Sequence, residues 1–127
     1  MDLKAAFEQS AIGMFGYMTD LSFVEIDPAM DPYQGSVKGE DLESLLYEFL
    51  EDLLVVFSTE FLIFKKVTIT RLDQKNFTID YIAEGEKWDL EKHPQGQEIK
   101  AITYSNMQIH PPTKDRKVAE IWVILDI

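Results

Sequence analysis

The strongest constraint on what this chain can fold into is its last ten residues, VAEIWVILDI. Residues 118–127 are apolar on both parities, with Ile121, Val123 and Leu125 alternating with Trp122 and Ile124. A strand of that kind is expected in the middle of a sheet, covered on both faces. Residues 99–109 form a second strand-like run. Pro111, Pro112 and Asp115 lie between the two and supply turn chemistry, so the pair is read as antiparallel strands joined by a loop. Asp126 continues the Trp122 and Ile124 face. A carboxylate at the end of a buried strand is costly to desolvate unless a cation, a donor or water compensates it. Asp126 and the α-carboxylate of Ile127 then make an oxygen-rich pair that suits a hard divalent ion. The competing reading is a solvated end where the strand emerges.

Upstream, Phe7, Ala11, Met14, Phe15 and Met18 recur at spacings of three and four, which predicts an amphipathic helix over residues 3–18. Gly13 and Gly16 weaken it locally or mark close packing, and its methionines read as core filler. Phe23, Val24 and Ile26 suggest a short strand, and residues 34–39 a second one, around an irregular segment holding Pro28, Pro32 and Gly35. Asp41 is a plausible N-cap for the next helix. Leu42, Leu45, Leu46, Phe49, Leu50, Leu53 and Leu54 give that helix a continuous apolar stripe, and Glu43, Glu48, Glu51 and Asp52 are expected on its solvated side. Two β-rich runs follow at 61–72 and 77–83, separated by a polar hairpin loop, and residues 85–96 form the longest polar loop. The sum is an α+β fold, with two helices packed on one face of a mostly antiparallel, mixed β-sheet.

With 127 residues, no internal repeat and no linker, the chain is expected to be a single domain over residues 1–127. It has no cysteine, which excludes disulfides and thiolate metal sites and fits a reducing compartment. No secretory leader and no apolar run of about 20 residues is seen, so the expectation is a soluble, intracellular protein, cytoplasmic or nuclear, without membrane partners. Twelve basic residues against 23 acidic ones leave a net charge of −11. Such a chain repels phosphate-rich polymers, and it has no basic cluster beyond Lys65 and Lys66. Strong direct nucleic-acid binding is therefore disfavoured, and a basic protein or a metal ion is the better match. No nucleophile elbow, phosphate-binding glycine loop or HExxH motif occurs.

Several motifs in order resemble the archease family: AFEQSAIGMFGYMTD at residues 6–20, GEDLESLLYEFL at 39–50, GEKW at 85–88 followed by His93, KAITY at 100–104, and the closing Leu125, Asp126 and Ile127. The resemblance covers nearly the whole chain. It implies a non-enzymatic accessory protein of the tRNA-splicing ligase complex. Its role would be to promote guanylylation and multiple turnover of the ligase that joins RNA ends bearing a 3′-phosphate, the catalytic subunit being its partner. It also implies two helices on a mixed sheet, a divalent metal, calcium, held by Asp126 and Ile127, and a role for Lys100 in activating the ligase. The family normally begins with a strand carrying an Asp-His-Thr-Ala-Asp motif. None is present here, so the expectation is a chain lacking that N-terminal strand and one acidic ligand, with a weakened metal site.

The remaining candidate residues carry two readings each. Lys100 shares strand parity with Ile102 and Tyr104, so it either snorkels to the rim or serves as a counter-charge beside the acidic pair. Tyr104 reads as a core aromatic with a bonded hydroxyl or as a partner contact. His93, before Pro94, reads as a solvated loop histidine or as a partner contact. Glu86 and Trp88 stay ambiguous in the same way. Two rival functions are a chaperone-like interaction module with no role in ligation and, more remotely, a metal-dependent hydrolase, against which the lack of a base or nucleophile argues.

Overall fold

The structure is a computed structural model that describes residues 2–105 and 107–127. Met1 and Asn106, the latter inside the 99–109 run, lie outside the described residues. Helix α1 spans Leu3–Met18, as its periodicity predicts. Asp2 caps it by accepting from the Ala5 N–H at 2.8 Å. The stripe Leu3, Ala6, Phe7, Ala11, Met14, Phe15 and Met18 is buried. Gly13 and Gly16 are exposed, so neither marks a tight interface. Helix α2 spans Leu42–Glu60 and opens on a capping box. Asp41 Oδ1 accepts from the Ser44 N–H at 2.8 Å, and Ser44 Oγ accepts from the Asp41 N–H at 3.1 Å. A cap of this kind is worth about 1 kcal/mol. Its buried stripe includes Leu45, Leu46, Phe49, Leu50, Leu53 and Leu54, and Phe49 meets Phe7 of α1 with ring centroids 6.3 Å apart.

Three strands form the main sheet in the order β1-β3-β2, all antiparallel: β1 is Tyr33–Lys38, β2 Leu62–Asp73 and β3 Thr78–Lys87. Along β3 the side chains Ile79, Tyr81 and Ala83 are buried and their neighbours half-exposed, which is the expected period of two. The sheet lies against α1 and α2, and each fully buried Phe or Ile there contributes about 1.5–3 kcal/mol. Two glycines set close approaches. A Cβ at Gly35 would run into the Tyr81 ring, and one at Gly85 into the Ile63 carbonyl.

Several expectations are corrected here. The residues around Phe23 form a short 3₁₀ turn, Leu21–Phe23, held by Asp20 capping the Ser22 N–H, where a strand was expected. Strand β3 continues to Lys87, so Gly85 and Glu86 belong to the sheet and not to the loop. Asp52 is not on a solvated face: its Oδ2 accepts from the hydroxyls of Tyr81 at 2.5 Å and Tyr33 at 3.3 Å, stitching α2 to the sheet. Burial first and the Asp52 carboxylate second push the Tyr81 phenol far above its ordinary range.

The C-terminal pair is antiparallel as predicted, but it is interrupted. Strand β4 (Ala101–Ile102) pairs with β7 (Leu125–Asp126), and β5 (Gln108–His110) with β6 (Glu120–Trp122), as two separate two-stranded sheets. The run 118–127 is therefore not a central strand covered on both sides. Ile121, Val123 and Leu125 pack against the core, whereas Trp122 and Ile124 are 61% and 46% exposed. Among the described residues no helix is long and apolar enough to cross a membrane.

Candidate functional site

The terminal residues are tied to the KAITY strand. Ala101 lies opposite Asp126 and Ile102 opposite Leu125. The Lys100 N–H donates to the Asp126 carbonyl at 2.6 Å, and both the N–H and Oγ1 of Thr103 reach the Ile124 carbonyl, at 3.3 and 2.7 Å. Ile102 is the buried anchor of this pairing, at 4% exposure. The side chains of Asp126 and Ile127 are exposed, and so is Lys100. Among the described residues Lys100 makes no ion pair, so it stands at the rim and not as a bonded counter-charge to Asp126. The backbone thus brings Lys100, Asp126 and Ile127 to one end of the molecule and leaves their side chains open to solvent.

Tyr104, two residues beyond Ile102 on the same parity, does not enter the core. It is 53% exposed and stacks on Tyr47 of α2, with ring centroids 4.4 Å apart and planes 11° from parallel. Desolvation first, then the charges of Glu48, Asp41 and Glu51 with Tyr47 beside it, raise its phenol above the ordinary value. Sequence reasoning missed Tyr47. Its one signal was an aromatic ring set beside the leucine stripe of α2 and not within it.

His93 reverses the solvated expectation outright. The side chain is 0% exposed, its ring stacked on Trp88 with centroids 5.2 Å apart and planes 11° from parallel. Nδ1 accepts from the Asp89 N–H at 3.0 Å, so a neutral ring carries its proton on Nε2 and donates it to Glu86 Oε2 at 2.8 Å. Glu86 also accepts from the Glu25 N–H at 2.9 Å and from Lys92 Nζ at 2.8 Å, while Lys92 reaches Glu25 at 3.2 Å. Burial alone would raise the Glu86 carboxyl, but the bonds from Lys92, Glu25 and His93 outweigh it and hold the group down at about 2. This set, with His93 buried at its centre, pins the 88–96 loop to the end of β3. His93 is thus buried, whereas Lys100 and Tyr104 are exposed.

The archease protein family model (MTH1598/TM1083) matches residues 1–127. The chain belongs to the archease family. It is 48% identical over 126 residues to an archease-like protein of Drosophila melanogaster, covering 98% of this chain and 78% of that one. It is also 40% identical over 108 residues to an archease of Sulfurisphaera tokodaii, covering 85% and 75%. The solution structure of Methanobacterium thermoautotrophicum protein 1598 superposes with a TM-score of 0.74 at 32% identity, covering all of this chain and 86% of that one. The α+β arrangement of two helices on antiparallel sheets is therefore an archease fold.

The archease resemblance implies calcium, which takes six to eight oxygens. Asp126 and Ile127 are adjacent and exposed, but among the described residues no group of three or more His, Asp or Glu side chains could hold an ion. The donors present are thus fewer than a calcium site needs, and no step below runs through an ion.

Proposed function

We propose that this archease is a non-enzymatic accessory protein that promotes guanylylation, and with it multiple turnover, of the 3′-phosphate RNA ligase of tRNA splicing. Archease family membership supports an accessory role toward an RNA ligase. The observation that carries the reading to particular residues is the pairing of Ala101 with Asp126, which fixes the terminal residues beside Lys100 while leaving all three side chains accessible. Groups held on a paired backbone and pointed outward can enter another protein's cleft without first being ordered, which keeps the entropic cost of docking low. Lys100 is the cation of the set and would meet phosphate oxygens of the nucleotide being attached. Tyr104 would contact the ligase beside it. Any divalent cation at Asp126 and Ile127 would take its remaining oxygens from water or from the partner, and a calcium titration followed by calorimetry tests for it.

The direct test is labelling of the ligase with radioactive guanylate, with and without this chain. Stimulation by the unaltered protein and its loss with Lys100→Ala supports the reading. Equal labelling in all three samples refutes it. The solvent-facing Trp122 and Ile124 favour a second reading, a general interaction module. Suppression of aggregation of unrelated clients, with no effect on ligase labelling, would select it.

A further inference from the structure

We propose that the Tyr47–Tyr104 stack and the carboxylates beside it form a docking site for an arginine side chain carried on a basic segment of a protein partner. The inference rests on the reading that this chain works by touching another protein, and it names the chemistry of one contact. Tyr47 covers one face of Tyr104, yet 53% of Tyr104 remains open. The open ring borders a groove of about 500 Å³ lined by Lys38, Gly39, Glu40, Ser44 and Glu48. An exposed aromatic face with carboxylates at its rim suits a guanidinium, which stacks flat on a ring and offers its N–H fork to an acid at the same time. An ammonium group is also drawn to a ring face, but it cannot lie flat on it and has no planar fork to offer the acid. The two rings are already in contact, so the second one supports the platform and does not compete for the ligand.

The rival occupant is an anion, because the groove borders the start of α2, where free N–H groups attract negative charge. Here the Glu40, Asp41 and Ser44 N–H groups are already bonded within the chain. Asp41 Oδ1 accepts from Ser44, and Ser44 Oγ accepts from the N–H groups of both Asp41 and Glu40. The chain's own Asp41 carboxylate therefore already sits at the helix start, where a second anion would meet its charge. Among the described residues Lys38 is the one cation lining the groove, against Glu40 and Glu48, and the charges of Asp41 and Glu51 also act on Tyr104. The balance is acidic, as is the chain as a whole at −11. A basic segment meets a complementary field as it approaches and a flat, half-covered ring when it arrives.

The test is an NMR titration of the full chain, following the ring signals of Tyr47 and Tyr104, with a short arginine peptide, its lysine counterpart and its citrulline counterpart. The account expects saturable shifts at both rings with the arginine peptide. It also expects binding about two- to fivefold weaker with lysine and weaker still with citrulline, which keeps the shape and loses the charge. Tyr104→Leu should weaken arginine binding by a similar factor, and Glu48→Gln should weaken it too, both with an unchanged urea midpoint. Equal affinity for the lysine and arginine peptides, full binding by Tyr104→Leu, larger shifts with inorganic phosphate, or no shift at all would each overturn it. The assay contains no ligase. Failure here leaves ligase activation standing, while loss of ligase stimulation in Asp126→Ala with peptide binding intact is a separate result.

Discussion

Strands β2 and β3 run for 12 and 10 residues and bury one face beneath two helices, whereas no paired segment of the C-terminal hairpin exceeds three residues. Tyr81 in the first region is 1% exposed and hydrogen-bonded to Asp52; Trp122 in the second is 61% exposed. The long ladder gains from every alternate residue it covers and so carries the stability of the fold. The short pairs gain little from their own length and depend on single anchors such as Ile102. What they offer is position: accessible side chains on a fixed backbone. One region makes the scaffold and the other presents groups from it.

That contrast can be broken from either side. The largest effect is expected from Phe49→Ala, which empties a site touching Phe7 and Tyr81 and should cost about 3–5 kcal/mol in a urea unfolding experiment. A loss under about 1 kcal/mol would mean that the helices do not seal the sheet as described. A smaller effect is expected at the end of β3. The folded Glu86 carboxyl sits at about 2, below its ordinary 4.5, so its contribution is complete above pH 4.5 and is lost as pH falls from there toward 2. The urea midpoint should drop across that window, and Glu86→Gln should flatten the drop. An identical acid profile in the variant would show that the Lys92, Glu25 and His93 bonds do not hold this carboxylate. The smallest effect belongs to Trp122→Ser, expected to shift stability by no more than about 0.5 kcal/mol because most of the ring is already in water. A cost of 2 kcal/mol or more would put the C-terminal hairpin with the scaffold, since that is the scale of a buried side chain.

What the sequence made legible followed from local physics. Helix α1 and the start of α2 were readable to the residue, because Asp41 and the three-and-four spacings of Leu and Phe act within a few positions. The alternation in β3 was readable for the same reason. Resemblance of the KAITY motif and the closing residues also directed attention to the end where Lys100, Asp126 and Ile127 converge. Most of the misreadings turned on contacts that periodicity does not encode. Whether Trp122 faces protein or water is decided by which strand lies beside β6, and an apolar alternation carries no information about that. His93 looked solvated because most of its neighbours in the chain are polar; the Glu86 carboxylate at the end of β3 and the Trp88 ring just beyond it fold back over the imidazole. Asp52 looked like the outer side of a helix until two tyrosines from the sheet reached it. The Tyr47–Tyr104 stack joins a helix to the segment after β4, 57 positions later, beyond any periodicity.

The account's central claim is that the C-terminal residues serve another protein and not their own fold. Asp126→Ala tests it most directly, because the Lys100 bond goes to the Asp126 backbone carbonyl and survives the change. The variant should keep the urea midpoint of the parent and fail to carry the ligase past a single turnover in a ligation assay with excess RNA. Multiple turnover at the parent's rate, from a variant equally folded, would contradict it.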